Sequence, residues 1–149
     1  MLVRCIQQFS RYTFRALAID SNQQLADELC QEYGRRMKAH LIRTESKQVL
    51  NLLDELIEKH RIKPNYINYL LAMRAINHSK QRTDADRLYN LIKQDLSIMN
   101  ESRIQIGLVY MYAIALGDIP YAEKLATMIE TPHINVLTVL MTVSLLLKL

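Results

Sequence analysis

One short pattern recurs three times in this chain. A small or aliphatic residue, then a leucine three positions on, then an isoleucine four further, stand at Leu50, Leu53 and Ile57. They stand again at Ala85, Leu88 and Ile92, and again at Ala122, Leu125 and Ile129. The first interval is 35 residues and the second 37. Steps of three and four place all three side chains of each set on one helical face. The stretches between them align too: Ile67, Tyr69 and Met73 fall opposite Ile104, Ile106 and Tyr110. A period of this size, with two helices per unit, belongs to helical-hairpin arrays, in which each unit buries its apolar face only against its neighbours. The competing explanation is an unrelated helical bundle whose amphipathic helices align by chance. Matched loops favour the repeat, since "KPN" ending at Asn65 is followed 35 residues later by Asn100.

The rest of the chain is punctuated as helices. It has 149 residues, half of them hydrophobic, with only three glycines and three prolines. That suits one domain, or an array of a few small units, and argues against a turn-rich β architecture. Asp20 or Ser21 is expected to cap a helix ended by Gly34, followed by a short helix over "GRRMKAHLIR". Ser46 is expected to cap the helix bearing Val49, Leu50, Leu53, Leu56 and Ile57, and Thr83 or Asp84 the helix bearing Leu88. Gly117 stops a long apolar helix, and Asp118 caps the next, with Pro120 in its first turn. A last apolar helix should run to Leu149. Every connection is short, so successive helices should pack antiparallel. The fold class expected is all-α, a right-handed α-solenoid of antiparallel hairpins. Its units would cover about residues 31–65, 66–102, 103–134 and a partial 135–149, after an N-terminal segment 1–30. The apolar end "SLLLKL" suggests a fragment of a longer array or a surface that pairs with another molecule, since solenoids need polar caps.

Charge and composition narrow the function classes. The net charge of +4 and isoelectric point near 9.1 tolerate an anionic partner without demanding one. Cys5 and Cys30 form no metal-like pair or disulfide framework, which suits a reducing compartment. The apolar run Val136 to Leu147 is 12 residues, short of the roughly 20 a bilayer span needs. The first nineteen residues contain Arg4, Arg11 and Arg15 and no acid. This is the composition of a mitochondrial transit peptide. It is equally that of a first fold helix with a solvated arginine stripe, in a cytoplasmic protein.

Catalytic chemistry finds no foothold. The glycines stand apart at 34, 107 and 117, so no phosphate loop exists. His40, His60, His78 and His133 are too scattered for a helical metal-ligand pair, and neither metal nor cofactor is expected. Cys30 has no local nucleophile signature. Asp54, Glu55 and Glu58 read as the wet face of a helix, and Met73, Tyr110, Met111 and Tyr112 as core. The basic cluster Arg35, Arg36, Lys38, His40, Arg43 and Lys47 is a solvated face or a set of phosphate contacts.

At "MYAIALGDIPYAEKLATMI" and "RIKPN" the sequence resembles the pentatricopeptide repeat family, with the tetratricopeptide repeat a close competitor. The likeness covers about residues 31–149. It implies a binder of single-stranded RNA, one base per repeat, acting in organellar RNA metabolism. By that resemblance the boundary residues would be Asn65 and Asn100, and the residues sandwiching bases Ile67 and Ile104. The first-turn, base-reading residues would be Arg35, Leu70 and Gly107, of which Leu70 and Gly107 carry no hydrogen-bonding side chain. Arg36, Lys38 and Arg43 would contact phosphates. The tetratricopeptide alternative is a protein-interaction scaffold that takes a partner's helix or tail and binds no RNA.

Overall fold

The computed structural model describes the backbone of residues 2–128, and isolated positions at 138, 141, 142 and 145; side chains are described from residue 20 onward. The described residues are all helical apart from connections, with no strand among them. The order is α1 (Leu2–Ile42), α2 (Ser46–Glu58), α3 (Tyr66–Ser79), α4 (Arg82–Ile92), a single-turn α5 (Leu96–Met99), α6 (Ser102–Tyr110), a π-turn (Met111–Ala115) and α7 (Ile119–Met128). Apart from those isolated positions, the last helix expected, to Leu149, and the partial fourth unit lie outside the described residues, as does Ile129.

Each helix packs on those next to it in sequence: α1 on α2 and α3, α3 on α4 and α6, and α6 with its π-turn on α7. The described recurrent positions all point inward. Leu50, Leu53, Ala85, Leu88, Ile92, Ala122 and Leu125 are buried, and Ile57 packs against them half-buried. The first helices of the hairpins repeat as well. Asn68, Leu71, Ala72, Ala75 and Ile76 of α3 are buried, and so are Gln105, Leu108, Val109, Tyr112 and Ala113, each 37 residues on. Both sets even begin with a buried amide. The architecture is therefore all-α and repeat-like.

Local physics explains where the helices stop, and corrects several expected boundaries. Gly34 does not end a helix, and Asp20 and Ser21 do not cap one: α1 runs unbroken across all three, and across the boundary expected at residue 30. Gly34 is instead a contact point, where an added Cβ would lie 3.5 Å from the Asn68 amide nitrogen. Ser46 is the first residue of α2 rather than its cap, and α4 begins at Arg82, ahead of Thr83 and Asp84. Asp118 does cap α7, accepting the Tyr121 amide at 3.1 Å, with Pro120 in the first turn. Gly117 turns the chain at φ 67°, and Thr44, Arg61 and Lys80 make the same left-handed turn without being glycine.

Candidate nucleic-acid interface

The side chains expected at the interface do not share one environment. Asn65 is the cap of α3: its side chain accepts the Asn68 amide, while the Asn68 side chain accepts the Asn65 amide in a reciprocal box. Asn68 goes further and donates to the Cys30 carbonyl of α1 at 3.0 Å. Asn100, expected as the matching boundary residue, is not the cap of α6 and lies two positions before Ser102, the residue 37 on from Asn65. The residue before α6 is Glu101, and Asn100 caps the end of α5, a turn that the periodicity did not announce.

The two isoleucines part company. Ile67 is 40% exposed, whereas Ile104 is fully buried, so Ile104 cannot lie against a base. The buried surface of α6 differs from that of α3 at its edges. Met111 is buried where its counterpart Arg74 is exposed. Tyr110 is exposed where its counterpart Met73 is buried. Tyr110 was expected in the core with Met73, Met111 and Tyr112. Those three are buried, but Tyr110 is 44% exposed, with Ile114 equally exposed four residues on.

Leu70 and Gly107 meet at the seam between α3 and α6. A Cβ on Gly107 would lie 2.7 Å from the Met73 sulfur and 3.5 Å from Leu70 Cδ2. Glycine is required here by the approach of two helices, and its missing side chain is a packing device. Both residues are half-buried, so the seam opens to solvent between them. Beside it on α3 stand Ile67 and Arg74, and on α6 Arg103, Tyr110 and Ile114, all exposed.

The basic cluster on α1 is partly engaged. Arg35 pairs with Glu32 at 2.9 Å, and the Arg36 guanidinium lies 4.8 Å from the Tyr33 ring centre. Lys38 and Arg43 are exposed. The sequence reading missed Arg74, Arg103 and Tyr110. A signal for them was present: α3, and α6 with its π-turn, contain no acid at all, whereas α2 carries Asp54, Glu55 and Glu58, and α4 carries Asp84 and Asp86. Acids are thus missing from α3 and from α6 with its π-turn, while α1 carries Asp20, Asp27, Glu28 and Glu32 beside its basic cluster.

Two acids, Asp54 and Asp118, tie hairpins together. Asp54 of α2 accepts from Arg87 of α4 at 2.7 Å, and Asp118 before α7 accepts from Arg82 of α4. Arg82 also holds Asp86 and lies over the rings of Tyr112 and Tyr121. Among the described residues no group of three metal-ligating side chains gathers, and no helix is long and apolar enough to cross a membrane. No protein-family model, curated protein or solved structure matches the chain.

Proposed function

We propose that this chain is a right-handed helical-repeat solenoid of pentatricopeptide type that binds single-stranded RNA along the exposed face of its first helices. The observation that carries the reading is the absence of acids from α3 and α6, the first helices of two successive hairpins. These present Arg74 and Arg103 with no acid to repel a phosphate backbone, and α1 adds Lys38 and Arg35, the latter shared with Glu32. The solenoid itself is supported by the buried positions recurring 37 residues apart and by one ion pair between each two successive second helices. Mechanistically, cations facing one groove capture the backbone, and the apolar side chains between them receive bases. Arg36 and Arg43 extend the positive field beyond the groove. An organellar, mitochondrial site of action is supported by the arginine-bearing, acid-free first nineteen residues.

The test is fluorescence anisotropy with a labelled twelve-nucleotide RNA at 50 and 200 mM salt. Four phosphate contacts predict an affinity loss of roughly fifty-fold across that range. No binding at the lower salt overturns the reading. One observation favours the tetratricopeptide-type scaffold instead: Ile67, Tyr110 and Ile114 offer apolar surface to a peptide as well. A peptide partner whose binding ignores salt and survives loss of Arg74 and Arg103 would decide for it.

A further inference from the structure

We infer that the RNA site works without a base code, as a sequence-tolerant stacking platform centred on Tyr110; this rests on the RNA-binding reading above. A hydrogen-bonding code needs polar side chains that reach a base edge on each repeat. The positions to which the resemblance assigns base reading, Leu70 and Gly107, fall in the second turns of α3 and α6, and neither side chain can donate or accept. Gly107 cannot be read as a vacancy that a ligand fills, because Met73 already occupies the space above it. Ile104 is sealed in the core, so the apolar wall expected beside Gly107 is absent from the surface.

Tyr110 replaces that wall. It lies one turn beyond Gly107, 44% exposed, and none of the ring–ring or cation–ring contacts that engage Tyr33, Tyr89, Tyr112 and Tyr121 involves it. The helix changes character immediately after it. Met111 to Ala115 form a π-turn, closed by the Leu116 amide on the Met111 carbonyl at 3.1 Å. Ile114, four residues on, adds exposed apolar surface; exposed Arg103 stands seven residues before Tyr110, on the same side of α6, and exposed Arg74 stands on the neighbouring α3. An exposed aromatic ring on a pair of packed helices that carry exposed arginines and no acid is complementary to a base and its phosphates. Every base has a π-face, so such a site takes a single strand of any sequence.

The experiment compares wild type, Tyr110→Ala and Tyr110→Phe on labelled twelve-mers of uridine, of cytidine and of adenosine, and on a twelve-mer of abasic ribose phosphates. Wild type should bind the three base-bearing strands within about threefold of each other, with Tyr110→Phe close behind. Tyr110→Ala should lose about tenfold on base-bearing strands and nothing on the abasic strand, since stacking rather than charge has been removed. An unchanged affinity of Tyr110→Ala for the uridine strand overturns the platform while leaving RNA binding intact. So does an equal loss on the abasic strand. A preference above about thirtyfold for one base overturns the absence of a code. No binding of any strand by wild type overturns this inference together with the reading it rests on. A urea midpoint for Tyr110→Ala equal to wild type excludes misfolding as the source of a loss.

Discussion

Arg87 of α4 donates to Asp54 of α2 across 2.7 Å, joining the second helices of two hairpins that are 33 residues apart in sequence. One hairpin further along, Arg82 makes the same kind of bridge to Asp118, 36 residues away. Helix α4 therefore carries both ties, one toward each neighbour.

The two ties should differ in strength. Arg87→Ala removes an exposed pair and should cost about 0.5 kcal/mol in urea unfolding. Arg82→Ala removes two carboxylate contacts and a guanidinium lying over two rings, and should cost about 1.5 kcal/mol. Half-molar salt should shrink the first effect more than the second, because ring contact is not screened as exposed charge is.

Asp118 links this network to pH. Its hydrogen bond from Arg82, then that from the Tyr121 amide, hold its carboxyl below the usual aspartate range. A depressed carboxylate stabilises the fold fully above its unfolded value and loses that contribution as pH falls through the folded one. Stability measured from pH 6 downward should therefore stay level to about pH 4 and fall below it. Asp118→Asn should flatten that fall.

Alkaline pH acts through buried phenols. Burial, and then the charge of Asp95, push the Tyr69 hydroxyl up to about 12, and burial with Asp86 raises Tyr112 as well. A raised group contributes its stability fully below the unfolded value and loses it as pH climbs through the folded one. The chain should lose stability from about pH 10 upward, through the region near 12. Tyr69→Phe should lessen the loss, followed by unfolding under urea at pH 9, 10 and 11.

Asn68 is the polar centre of the fold. It caps α3 reciprocally with Asn65 and is tied to α1 through the Cys30 carbonyl, with no exposed surface of its own. Asn68→Ala should cost about 2 kcal/mol, because the half-buried Asn65 amide loses its partner and a fully buried side chain is truncated. Asn65→Ala should cost about 1 kcal/mol, the usual loss of a cap.

Lys80 closes α3 in the left-handed region at φ 55°, where its Cβ is crowded. Lys80→Gly should stabilise the chain by about 1 kcal/mol, read as a higher urea midpoint. The same change at Gly107 runs the other way. Gly107→Asn would supply the amide that a base-reading site lacks, but its Cβ would press on the buried Met73 sulfur, and a cost above about 1 kcal/mol is expected.

The all-helical class and the hairpin punctuation were legible because they are local. Periods of three and four, a glycine at 117 and an aspartate at 118 act within one turn of chain. The packing face of each second helix was legible for the same reason, since Ala85, Leu88 and Ile92 have only one apolar side to bury. The length of α1 was not, because Gly34 carries the same signal whether it ends a helix or admits a neighbour. What distinguishes the two cases is Asn68, 34 residues away.

The site divides along the same line. Which helices lack acids is written in the sequence, and it bounds where an anionic strand can lie. Which residues of those helices face outward depends on how each helix is rolled when packed. Ile67 and Ile104 occupy equivalent positions in sequence, yet one is exposed and the other buried. A helix with apolar residues on several sides can bury any of them, and the choice falls to the neighbours it meets. The contact of Gly107 with Met73 and Leu70 is part of that choice on α6, which leaves Tyr110, expected in the core, exposed.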